Sequence, residues 1–313
     1  MLENIHIQNF RCFEDFKAEG FERINLIGGK NNSGKTCLLE GINLLGFNVV
    51  IANYGEFINS RKSNNTHNQD NDSTTNLFYN KLIKKPILIR ACEDNYTTLD
   101  FGISGNFVHL RNDKSIFLKD TWKSKLIFDK YNSIPKINDL SIEYSKAHRK
   151  GNGDLILKAL QLIDNNIIEI NTYPDTPVLH LTVKKSKIPL PINYFGDAIQ
   201  KMLSYITAFA DFDKENKNNY ILIDEIENGL HYSAHYEFWK RIFKLSKELN
   251  VQVFATTHSL EMIQQFNKVA IEEGGAAYFE MSREYETGKI FAQKHDMELL
   301  EYELEKSTST VRG

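Results

Sequence analysis

The chain has few cysteines, few prolines and no long apolar run, and each scarcity removes a class of protein. Cys12, Cys37 and Cys92 are its three cysteines in 313 residues. They have neither the spacing of a zinc module nor an even framework of pairs, so reduced thiols in a cytoplasmic protein are expected. No stretch approaches the roughly 18–20 apolar residues that span a bilayer, so no membrane association is expected. Glu3, Arg11, Glu14, Asp15 and Lys17 interrupt the first apolar positions, which argues against a secretory signal. No sustained heptad pattern appears, which argues against a coiled-coil arm. Charge of one sign is also missing. The formal net charge is −3, so any contact with DNA would need a local basic patch.

What is present begins with a glycine-rich stretch. Gly29-Lys30-Asn31-Asn32-Ser33-Gly34-Lys35-Thr36 spells G-x-x-x-x-G-K-T. The apolar run Ile24 to Ile27 precedes it, and Leu38, Leu39, Ile42 and Leu45 follow at helical spacing. Strand, glycine turn and helix start together aim backbone N–H groups and a helix dipole at phosphates. The pattern therefore predicts an ATP site formed by Gly29, Asn31, Asn32, Ser33, Gly34, Lys35, Thr36 and Cys37. Lys35 would reach the β and γ phosphates, and the Thr36 hydroxyl would ligate Mg²⁺. A polar glycine loop without a ligand is the plain alternative.

A second motif completes the first. Tyr220-Ile221-Leu222-Ile223 is a continuous apolar run ending in Asp224-Glu225. Such a run suits a parallel strand buried on both faces, with its charges at the ligand-binding end. Asp224 fits a second Mg²⁺ ligand and Glu225 the general base that activates water. Val251 to Thr257 reads as another buried strand and ends in His258.

These motifs carry a resemblance. I-x-I-x-N-F-R-C-F from Ile5, the glycine loop, and L-L-E-G-I-N from Leu38 resemble the N-terminus of the SMC, RecF and OLD group of ABC-type ATPases. D-E-I-E-N-G-L-H from Asp224 is similar to the OLD and RecF-like members. The resemblance implies an α/β P-loop fold with a mixed central sheet flanked by helices and an antiparallel β-lobe. It implies that Arg11 approaches the phosphates or the base; a surface arginine in a turn is the alternative. It implies that His258 contacts the γ-phosphate. It also implies that Gly196 and Asp197 open a signature helix meeting nucleotide in trans, although the usual serine is missing. His231 stands where transporters usually close this turn with aspartate. ATP would then join two copies into a homodimer or a larger homo-oligomer. The effector is expected to be a separate nuclease or toxin, as in antiphage operons, because fewer than sixty residues follow His258 and leave no room for a TOPRIM nuclease. A RecF-like DNA-repair ATPase is the competing role.

The remainder is less specific. Residues 1–313 read as one ATPase domain with a divergent middle, about 78–190. Residues 59–76 are polar and aperiodic, which predicts a flexible loop. Short β-like runs occur at Pro86–Ala91, Tyr96–Phe101, Phe107–Leu110 and Ser115–Leu118. Residues 154–171 predict a helix and then a strand, Val178–Val183 a further strand, and Ile199 to Phe209 a helix. Tyr232–Leu249 predicts a helix, residues 276–293 a hairpin, and Met297–Lys306 a closing helix. Clusters around Lys84, Lys123, Arg149 and Lys185 read as solvated faces rather than a phosphate track.

Overall fold

A computed structural model describes residues 1–46, 79–81, 87–93, 97–104, 107–111, 123–127, 137–161, 164–174, 176–210, 212 and 219–310. In chain order, strands β1 (Leu2–Phe10), β2 (Phe13–Glu19) and β3 (Ile24–Gly29) lead into helix α1 (Lys35–Gly46). Four strands follow: β4 (Ile87–Glu93), β5 (Thr97–Ser104), β6 (Phe107–Arg111) and β7 (Lys123–Ile127). Helices α2 (Ile137–Arg149) and α3 (Gly153–Gln161) come next, then the meander β8 (Ile167–Tyr173), β9 (Thr176–Val183) and β10 (Ser186–Pro191). The last part runs α4 (Asp197–Ala210), β11 (Asn219–Ile223), α5 (His235–Leu249), β12 (Val251–Thr256) and α6 (Leu260–Glu273). It closes with β13 (Ala276–Arg283), β14 (Ile290–His295) and α7 (Met297–Thr310).

The central sheet has the order β14-β13-β3-β12-β11-β7. Strands β13, β3, β12, β11 and β7 pair in parallel, and β14 returns antiparallel. Its strands alternate between two cores, as a period of two requires. Ile221 and Ile223 face one core with Val251, Val253 and Ala255, against α4, α5 and α6. Tyr220, Leu222 and Phe254 face the other, with α1 and the second sheet. That second sheet, β2-β1-β4-β5-β6, is antiparallel throughout. It is the antiparallel lobe that the sequence predicted.

Several elements escaped the sequence reading. Helices α2 and α6 and strand β10 were not predicted, and β7 was read only as a basic cluster. Strand β7 joins the central sheet beside β11 rather than the lobe. The predicted long helix after residue 231 splits, with a short 3₁₀ turn at Tyr232–Ala234 before α5. The predicted loop 59–76 and the run Ser115–Leu118 lie outside the described residues.

One buried amide ties the lobe to the central sheet. Gln252 points from β12 into the second core and is 2% exposed. Its Oε1 accepts from Leu2 N at 2.9 Å. Its Nε2 donates to Leu2 O at 2.7 Å and to Glu22 O at 2.8 Å. The side chain thus replaces a strand partner for the start of β1. Gln252→Ala should leave these backbone groups unsatisfied and cost about 1–3 kcal/mol, read as a lowered midpoint in urea unfolding; an unchanged midpoint would show that the link is dispensable.

Candidate functional site

The parallel strands β3, β12 and β11 end on the same edge of the sheet. Each is followed by polar residues that a buried apolar strand would not otherwise carry. Because β12 lies between β3 and β11, residues after it stand between the glycine loop and the Asp224-Glu225 pair.

After β3 the chain turns through Gly29 (φ +133°) and Asn32 (φ +62°) to Gly34 (φ +94°). A Cβ on Gly29 would lie 2.2 Å from Met281 O, so only glycine fits there. Asn31 and Asn32 are exposed at the loop crest and Ser33 is buried beneath it. Ser33 N donates to Lys30 O at 3.3 Å. The first N–H groups of α1 point from its start without intrahelical partners, as at every helix N-terminus.

Lys35 is 5% exposed and curls back into the loop. Its Nζ donates to Gly29 O at 2.8 Å and to Lys30 O at 2.9 Å. It also lies 3.3 Å from His258 Nδ1. An ammonium has donors only, so Nδ1 accepts and the ring proton belongs on Nε2. His258 N in turn donates to Glu227 Oε1 at 2.7 Å. Ser259 then caps α6, its Oγ accepting from Met262 N at 3.1 Å.

Thr36 Oγ1 donates to Asp224, 2.9 Å from Oδ2 and 3.3 Å from Oδ1. Thr256, at the end of β12, donates its hydroxyl to Asp224 Oδ1 at 2.5 Å and accepts from Glu225 N at 2.8 Å. Asp224 is buried, while Glu225 is half-buried and bends away at φ +51°. Asn228 Nδ2 donates to Glu225 Oε2 at 2.9 Å. Direct hydrogen bonds therefore join Lys35 to His258, Thr36 to Asp224, and Asp224 through Thr256 to the backbone of Glu225.

Other predicted site residues lie apart from these contacts. Arg11, at φ +48°, ion-pairs through Nε with Glu40 Oε2 at 2.7 Å. Burial lowers its pKa, and Glu40 is itself fully buried on α1. The side chain braces the β1–β2 turn against α1. Cys37 and Cys12 are free thiols. Their mutual hydrogen bond, with burial, pushes the Cys12 thiol far above its usual range. Gly196 is exposed just before α4. His231 is exposed too, and its Nδ1 lies 2.9 Å from Ser233 Oγ at the start of the 3₁₀ turn.

Thr256, Asn228 and Lys201 were not singled out from sequence. Thr256 was visible as a polar end to an apolar strand. Lys201 was not, since a lysine on an amphipathic helix reads as a solvated position. Among the described residues, no helix is long and apolar enough to cross a membrane.

The AAA ATPase domain family matches residues 1–172 and 119–263. A Helicobacter pylori protein named ATP/GTP phosphatase is 30% identical over 342 residues, spanning 87% of this chain and 89% of that one. The SMC head domain from Thermotoga maritima superposes with TM-score 0.59 at 10% identity, covering 95% and 99% of the two chains. The recombination mediator protein RecF superposes with TM-score 0.53 at 14% identity, covering 95% and 98%. At these identities the two structures speak for the fold. With its P-loop on that SMC- and RecF-type fold and a family match running across most of its length, the chain belongs to the AAA ATPase domain family and is an ATPase.

Proposed function

We propose that this ATPase is a nucleotide-driven switch that pairs two copies and controls a separate effector, a nuclease or toxin, in bacterial antiphage defence. The observation that carries the catalytic part is the contact set Lys35–His258 and Thr36–Asp224–Thr256 on one sheet edge, with Glu225 turned out beside it. The described elements act as one ATPase domain of the protein.

Lys35 exchanges its loop carbonyls for the β and γ phosphates when ATP enters. The amides of Asn31, Asn32, Ser33, Gly34, Lys35, Thr36 and Cys37 close around the phosphate chain. Arg11 acts from behind this surface, by fixing α1 through Glu40, rather than on the nucleotide. Thr36 Oγ1 and the Asp224 carboxylate, 2.9 Å apart, are hard oxygen donors of the kind Mg²⁺ takes, directly or through water. When bound, Mg²⁺ neutralises charge on the transferring phosphoryl group. Glu225 orients water and takes its proton. His258, already within reach of Lys35, changes partner when the γ-phosphate arrives and carries that change to Glu227 and α6.

Pairing of two copies is what the resemblance to this group of ATPases supports. Gly196, Asp197 and His231 would read the nucleotide of the opposite copy, Gly196 and His231 from exposed positions. A net charge of −3 and the OLD-like run from Asp224 favour effector control over direct DNA binding. The RecF-type fold favours the second reading, a DNA-repair ATPase.

Lys35→Ala should abolish binding of a fluorescent ATP analogue; retained tight binding would overturn the phosphate assignment. Parallel assays with GTP would show whether the base is read. Glu225→Gln should bind ATP yet turn over about a hundredfold to ten-thousandfold more slowly. The mass of that variant should double or more only with ATP and Mg²⁺, and a mass unmoved by nucleotide would remove ATP-driven pairing. A titration with duplex DNA at rising salt chooses between the two roles. Weak binding is expected, whereas sub-micromolar affinity that falls steeply with salt would transfer the assignment to DNA repair.

A further inference from the structure

The turn after β11 is wired to α4. Asn228 Nδ2 donates to Glu225 Oε2 at 2.9 Å. The backbone oxygen of the same Asn228 accepts from Lys201 Nζ on α4. Asn228 N also donates to Glu225 O at 3.0 Å, so the carboxylate, the amide and the carbonyl belong to one tight turn. Lys201 is 8% exposed, and its ammonium lies 5.7 Å from the Tyr205 ring centre. Removing an ammonium from water is costly unless acceptors replace the water. The Lys201–Asn228 contact is therefore not one that exchanges freely with solvent.

Lys201 lies about one helical turn along α4 from Asp197. The exposed start of α4 at Gly196 is thus joined through Lys201 and Asn228 to Glu225. We propose that Asn228 is a positioning residue for Glu225 and that Lys201 ties this position to α4, an inference that rests on Glu225 being the base. Asn228 holds Oε2 and so fixes the orientation of the carboxylate that takes the proton of water. Without the amide, the carboxylate samples its other rotamers, and hydrolysis slows while ATP binding stays. A shift of α4 alters the rate by the same route, so the helix expected to meet a second copy also governs the base of its own site.

The test uses the whole chain, with kcat measured at saturating ATP and Mg²⁺ and Kd from a fluorescent ATP analogue. Asn228→Ala should lower kcat about tenfold or more while Kd stays within about twofold. Asn228→Asp keeps the shape but replaces the donor with a second carboxylate, and should lower kcat at least as far. Lys201→Met should behave like Asn228→Ala, and Lys201→Arg should restore most of the rate. On a Glu225→Gln background, Asn228→Ala should cause no further loss, because its effect passes through Glu225. A kcat within about twofold of the parent for both Asn228 variants would overturn the proposal. So would an equal further loss on the Glu225→Gln background. Full turnover by Glu225→Gln alone would instead remove the base assignment beneath it, which keeps the two failures distinct.

Discussion

Asp224 is a carboxylate held almost out of water, and two hydroxyls from different elements decide how it can stay there. Thr36 brings one from the start of α1 and Thr256 the other from the end of β12. A buried carboxylate without donors is too costly to keep, so the three side chains are placed together or not at all. This knot joins the start of α1 to the adjoining ends of β11 and β12. The glycine loop then has its two ends fixed, one by β3 and one by Thr36. Lys35 folds into the space left, with the loop's own carbonyls as its present acceptors.

The antiparallel lobe supports the same knot from the other face. Ile7 of β1 packs so close to α1 that a Cβ on Gly41 would stand 2.6 Å from its Cδ1. Arg11 closes on Glu40 one turn beyond Thr36, and Gln252 clamps the start of β1 to β12. The lobe is therefore attached at both the helix and the strand that position Asp224. Arg11 belongs to this attachment through its ion pair with Glu40. The sequence does not announce this ion pair, which only the packing of α1 against the β1–β2 turn brings within reach.

Legibility followed the range of the interactions. The glycine loop, the strand ending in Asp224-Glu225 and the strand ending at His258 are local patterns, so sequence revealed these elements in one reading. The lobe strands were legible as alternation. Strand β7 was not, because Lys123, Ser124 and Lys125 mask an edge strand that only its pairing with β11 explains. Helix α2 carries its buried positions Leu140, Tyr144 and Ala147 among Ser, Glu and Lys, too sparse a stripe to stand out. Helix α6 has a clean cap at Ser259 and was overlooked beside the histidine before it. Lys201 and Asn228 are separated by 27 residues, and no spacing rule reports a contact between a helix and a turn at that range.

Adjacent Asp224 and Glu225 meet opposite environments, and the backbone makes the difference. Alternation along β11 continues inward to Asp224, which the hydroxyls receive. One more extended residue would carry Glu225 to the opposite face of the sheet, away from the loop. Instead the chain breaks at φ +51°, where a non-glycine residue costs about 1–3 kcal/mol. Four of the six such residues described are asparagines, which tolerate this region; Arg11 and Glu225 do not share that excuse. Glycine or asparagine at position 225 would relieve the strain and lose the carboxylate. Thr256 offsets part of the cost by accepting the Glu225 N–H, and Asn228 holds the side chain that results. A fold free to optimise stability alone would have no use for glutamate there. Glu225 thus stands at a strained turn, with its N–H held by Thr256 and its carboxylate by Asn228, on the sheet edge where the strand before the glycine loop also ends.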